Sequence, residues 1–121
     1  MEGGEKTPSL EMSEPYELTT QKIDEVVTQK SPGNYALGYV RNLTFYVLYV
    51  GRSDDDVNNR LKQWVGQSDR YTHFMFSYAT SPKAVFEKEC KNYHDFNPLD
   101  NKQHPERPDG TDWKCPVCDI W

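Results

Sequence analysis

The sequence predicts an α/β fold of the α+β kind, a three-stranded antiparallel sheet flanked by helices, and three patterns carry that expectation. Residues 34–40 and 45–50 each alternate in the manner of strands. Only Arg41-Asn42-Leu43-Thr44 separates them, too short for a parallel crossover, so they form an antiparallel hairpin. Residues 71–79 alternate as a third strand, and apolar residues recur at helical spacing before, between and after these runs.

In chain order, residues 1–17 mix Gly, Pro, Ser and Glu with few apolar positions, which predicts a disordered N-terminal segment ahead of a domain over 18–104. The first helix lies within 18–30, with Ile23, Val26 and Val27 on its apolar face, Thr19 or Thr20 as the cap, and Ser31-Pro32-Gly33 ending it. In the hairpin, Tyr35, Leu37 and Tyr39 share one face of their strand, as do Phe45, Val47 and Tyr49 of the next. Tyr35 and Tyr49 therefore belong to one sheet, and register decides whether they share a face. After Gly51, Ser53 or Asp54 caps a helix whose first turn attracts Asp55 and Asp56, so the acidic run reads as capping and not as a metal site. Val57, Leu61, Trp64 and Val65 form the buried stripe of that helix, with Arg60 beside it, where a guanidinium needs an anionic partner or a cleft opening. Ser81-Pro82 opens the last helix, to about His94. From Asp95 onward the chain is rich in Pro, Asn and Asp, ending in an extension over 105–121 docked on the domain, and irregular chain of that length needs a pin.

Composition bounds the function. The net charge of −5 argues against a strongly basic nucleic-acid surface, yet residues 31–104 carry 8 acidic and 9 basic residues, so the domain itself is near neutral. No apolar run approaches the roughly 18–20 residues of a membrane span. The absence of an apolar leader predicts a cytoplasmic protein with no membrane partner. Three cysteines cannot all pair within one chain, which favours thiols or metal ligands over disulfides.

The pin is suggested by Cys90 and His94, four apart on a helix, together with Cys115 and Cys118 in a Cys-x-x-Cys knuckle. These supply the four tetrahedral ligands of a closed, structural zinc site, with His104 as a lower-ranked substitute. The alternative is a buried Cys90, a surface His94 and a free or redox-active Cys-x-x-Cys.

Gly33-Asn34-Tyr35 opens one strand and Tyr49-Val50-Gly51 lies at the end of the next. Arg60 follows on a helix, then come a third strand, a helix bearing glutamates, and Pro98-Leu99-Asp100-Asn101. This order resembles the GIY-YIG nuclease family over roughly residues 31–101. The resemblance implies endonucleolytic hydrolysis of nucleic-acid phosphodiesters, DNA before RNA, assisted by Mg²⁺ or Mn²⁺. It gives Tyr35 and Tyr49 the activation or positioning of water, Arg60 the scissile phosphate, a glutamate the metal, and Asn101 support of the site. Gly51 and Arg52 would lie against the substrate. Of the two glutamates, Glu89 shares an arc with Val85, Phe86 and Tyr93 and is the expected ligand, with Glu87 the alternative on the other side of the helix. Two rival readings remain: a catalytically inactive nucleic-acid or protein binding module with a structural zinc, and a thiol redox protein using Cys115 and Cys118. A partner protein or a homodimer is left open.

Overall fold

The computed structural model describes residues 10–121. Its elements run β1 (Tyr16–Glu17), α1 (Thr20–Val26), β2 (Gly33–Arg41), β3 (Thr44–Ser53), α2 (Val57–Trp64), β4 (His73–Tyr78) and α3 (Pro82–Phe96). The sheet has four strands, all antiparallel, in the order β1-β4-β2-β3. This is one strand more than the sequence predicts, and it comes from the segment expected to be disordered. Tyr16 and Glu17 pair with Phe74 and His73, the Ser13 amide donates to the Phe76 carbonyl at 2.8 Å, and Leu10 is buried. The expectation for residues 1–9 lies outside the described residues.

The hairpin turns on Asn42 and Leu43, both at positive φ (53° and 65°), the hand that matches strand twist. Register puts Tyr35 opposite Gly51 and Leu37 opposite Tyr49, so the two tyrosines share a face, their ring centroids 6.3 Å apart. A bulge between Leu37 and Gly38 follows, where a Cβ on Gly38 would meet the Tyr46 carbonyl oxygen.

Each helix starts on a side-chain cap: Thr19 accepts from the Lys22 amide, Asp56 from that of Asn59, and Ser81 from that of Ala84. The α2 cap is thus Asp56, beyond the expected Ser53 or Asp54; Ser53 instead accepts from the Asp56 amide at 2.9 Å. Ile23 in the middle of α1, Val27 just past its end, and Val57 and Leu61 of α2 cover the face of Tyr35, Leu37, Phe74 and Phe76. Tyr93 and Phe96 of α3 cover the other, formed by Ala36, Val50 and Met75. Asn34 also points to that side, fully buried, with its Nδ2 donating to the Val85 carbonyl at 3.0 Å. After α3, the Asn101 side chain accepts from the Val50 amide (2.9 Å) and donates to the Val50 carbonyl (3.0 Å), and the Asp100 amide donates to the Leu48 carbonyl.

A Cβ at position 51 would stand 2.5 Å from the Tyr35 Cζ and Oη, so only glycine lets this buried phenol cross β3. Gly51→Ala is expected to cost about 1–3 kcal/mol by urea denaturation, because Tyr35 is held on all sides and overpacking cannot relax cheaply. An unchanged unfolding midpoint would mean that the crossing is not tight.

Candidate functional site

Two groups of chemistry-bearing side chains stand out, and the C-terminal extension contributes to both. The first is a cleft of about 210 Å³ lined by Tyr35, Tyr49, Arg52, Asp54, Arg60, Glu89 and Glu106. β2 supplies Tyr35, β3 supplies Tyr49 and Arg52, α2 supplies Arg60, and α3, packed on the opposite face, supplies Glu89. Glu89 meets the tyrosines at β3, the outer strand on this side of the sheet.

Arg52 organises the cleft. Its Nη1 donates to Glu89 Oε1 at 2.5 Å, its Nε to Asp54 Oδ1 at 2.9 Å and its Nη2 to the Glu106 carbonyl at 2.7 Å. Its guanidinium lies 5.3 Å from the centre of the Phe86 ring. Glu89 is only 7 % exposed; burial raises its pKa above the ordinary 4.5, and the Arg52 charge pulls it back. Arg60 is exposed and donates to the Arg52 carbonyl at 3.3 Å. The cleft opening therefore supplies what a guanidinium beside an apolar stripe requires.

Tyr35 is 1 % exposed, and its Oη accepts from Trp64 Nε1 at 2.8 Å. Burial pushes the phenol well above its ordinary 10, and the Tyr49 oxygen adds to this against the pull of Trp64 and Arg60. At neutral pH it is an O–H group, not a phenolate. Tyr49 is raised by burial and then by Glu89. The polar role of Trp64 is not visible in the sequence, which shows only its place in the apolar stripe. Asp54 and Glu106 are further cleft residues that the sequence does not single out, the latter because nothing in an irregular tail marks one glutamate.

Glu87 lines a different hollow, with Leu10, Lys88, Lys91 and Pro116, and not the cleft. Asn101 holds Val50, the residue between Tyr49 and Gly51. Its segment is anchored in turn by Asp100, which accepts from the Tyr71 hydroxyl at 2.6 Å and from Arg70 at 2.9 Å.

The second group is His94, His104, Cys115 and Cys118. One ligand atom from each lies within 4.8 Å of the other three, the number and kind of donors that a tetrahedral metal such as zinc takes. His94 Nε2 is buried without a hydrogen-bond partner, an orphan that a metal would satisfy. His104 Nδ1 lies 2.8 Å from the Pro105 carbonyl, which orients the ring and leaves Nε2, 3.4 Å from Cys118 Sγ, as the donor. Burial pushes the Cys115 thiol up, but the Val117 and Cys118 amides and His104 outweigh it and bring the pKa to about 6, favouring the ligating thiolate.

Cys90, expected as a ligand, is not among the four, and His104 takes its place. Cys90 and His94 do sit four apart on α3, but the Cys90 side chain is buried against Phe86 and Cys115. The fourth donor comes instead from chain that returns after the helix ends. No protein-family model, curated protein or solved structure matches the chain. Among the described residues no helix is long and apolar enough to cross a membrane.

The Arg52 and Glu89 side chains are 14 % and 9 % exposed, so their ion pair is desolvated and losing one partner leaves a buried charge. Arg52→Ala should therefore cost about 3 kcal/mol at pH 7, and Glu89→Gln added to it should recover much of the loss. Because the Glu89 pKa is raised in the folded state, the Arg52→Ala deficit should shrink as pH falls toward 4.5 and grow as pH rises through the raised value. Urea titrations across that range check the sign; a deficit independent of pH would place the effect elsewhere.

Proposed function

We propose that this protein is a metal-dependent endonuclease of GIY-YIG type acting on nucleic acid, DNA in the first instance, with a structural zinc in its C-terminal extension. The observation that carries the reading is the convergence of Tyr35, Tyr49, Arg52, Arg60 and Glu89, drawn from four elements, on one polar cleft.

The cleft fits a hard divalent ion. Such an ion keeps several waters and takes one or two carboxylates plus substrate phosphate, and Glu89 provides a buried carboxylate beside open volume. The ion would supply Lewis-acid stabilisation of charge on the phosphate and activation of a bound water. The side chains do the rest. Arg60, exposed at the rim, holds a non-bridging phosphate oxygen. Arg52 stands ready to exchange its carboxylate partner for another. Tyr35, kept neutral by burial and already accepting from Trp64, has its O–H to donate to the attacking water or to a phosphate oxygen. Tyr49 narrows the space beside it. A phenol this hard to ionise positions and does not act as the base unaided.

One observation favours the rival, a silent binding module: the Arg52–Glu89 ion pair already occupies the carboxylate. Cleavage of supercoiled, branched and single-stranded DNA with Mg²⁺ or Mn²⁺ separates them. We expect metal-dependent nicking that falls at least about 100-fold in Glu89→Gln and Arg60→Ala and persists in Glu87→Gln. No cleavage of any substrate by the folded protein would favour the binding module. The redox reading predicts a reversible Cys115–Cys118 disulfide; the His2Cys2 grouping instead supports zinc.

For the second metal, the donor set of two imidazoles and two thiols matches a closed zinc site. Elemental analysis of protein purified without chelators should find about one zinc per chain, falling to near zero in Cys115→Ser/Cys118→Ser. Purified protein without zinc would reject the site.

A further inference from the structure

The cleft and the metal centre share a short piece of chain. His104 offers a ligand, its own ring is oriented by the Pro105 carbonyl, and the next carbonyl, of Glu106, accepts from Arg52 at 2.7 Å. Pro105 is buried, which fixes the link between the two. A second connection runs through the rings. Phe86, which backs the Arg52 guanidinium, packs against Trp113 and Trp121 of the extension at 6.2 and 5.6 Å, and Trp121 lies 5.3 Å from His104. Helix α3 is common to both sites, carrying Glu89 toward the cleft and His94 toward the metal.

We propose that a metal ion at His94, His104, Cys115 and Cys118 positions Arg52, so that metal occupancy of the extension sets the geometry of the cleft. Residues 104–107 carry no helix or strand. Without a metal, the main chain of this segment is held by the Arg52 bond to the Glu106 carbonyl and by the local contact of the His104 ring with the Pro105 carbonyl, and His94 keeps a buried nitrogen unsatisfied. With the metal bound, His104 is tied to α3 through His94 and to the C-terminus through Cys115 and Cys118. The Glu106 carbonyl is then held where Arg52 needs it, and one wall of the cleft becomes rigid. The metal centre acts on the cleft through Arg52, which makes its ligands positioning residues. On the nuclease reading the consequence is weaker phosphate binding by the metal-free chain, but the coupling itself does not depend on that reading.

The test compares the full-length wild-type chain loaded with Zn²⁺, the same chain stripped by chelator and reloaded, Cys118→Ser, and the exposed control Lys114→Ala. Co²⁺ loading reports the site directly, through the thiolate-to-metal absorption expected of two cysteine ligands. Amide hydrogen exchange read by mass spectrometry reports residues 104–107 and the β3 segment bearing Arg52. We expect metal removal to lower protection in both segments about tenfold or more, to leave the segments of β2 and β4 unchanged, and to reverse on adding Zn²⁺. Cys118→Ser should match the stripped chain, and Lys114→Ala should match the loaded one. Loss of metal with unchanged protection at Arg52 would overturn the coupling, as would loss of protection throughout the sheet, since that would make the metal a requirement for folding. In parallel, cleavage of supercoiled, branched and single-stranded DNA by the zinc-loaded and stripped chains tests the nuclease reading. Metal-dependent protection at Arg52 with no cleavage of any of these by either form would sink that reading and leave the coupling intact.

Discussion

Burying Glu89 removes a carboxylate from water, and much of the surrounding architecture follows from how that charge is offset. A lone buried carboxylate would take up a proton; here Arg52 from β3 lies against it, and Asp54, the Glu106 carbonyl and the Phe86 ring hold Arg52 in turn. One guanidinium thus joins the hairpin, the connection leading into α2, the long helix and the C-terminal extension. The same constraint bears on any group entering the cleft, which must leave neither the buried anion nor the buried cation without a partner; on the proposed nuclease reading, a phosphodiester accompanied by a divalent cation would meet that demand.

The hairpin was legible because a two-residue period and a short connection leave few alternatives. Its register was not. The placement of Tyr35 over Gly51 follows from the paired register of β2 and β3, and the bulge beyond Leu37 is a backbone feature with no letter of its own. Asn34, unusual within an apolar strand, reads once folded as a side chain that ties β2 to the first turn of α3 through the Val85 carbonyl. β1 was invisible because two residues carry no period.

Spacing along a helix also told only part of the truth about the metal ligands. Residues four apart point the same way, so Cys90 and His94 looked like a pair. Which neighbour each meets depends on how the later chain returns, and the return places Cys115 against Cys90 in an apolar cluster while bringing His104 to His94. Long-range placement of this kind is set by packing of Trp113 and Trp121 on Phe86, information spread across a stretch with no regular secondary structure. Likewise, the indole nitrogen of Trp64 on α2 has its polar role only because the fold brings Tyr35 of β2 against it.

The two outer strands of the sheet are closed differently. Beside β3, the Asp100 amide and both polar atoms of the Asn101 side chain take up the Leu48 carbonyl and the Val50 main chain, while on the far side residues 13–18 run along β4 and leave as the edge only the two-residue β1. A bare strand is a template on which a second chain can grow, the first step toward cross-β fibrils. The side-chain amide of Asn101 therefore shields Val50, within an aromatic-rich hairpin strand, from recruitment by a second copy. It does so without presenting a continuous strand that would itself need a neighbour, so this stretch of the β3 edge is closed by a segment that is not β-structure at all.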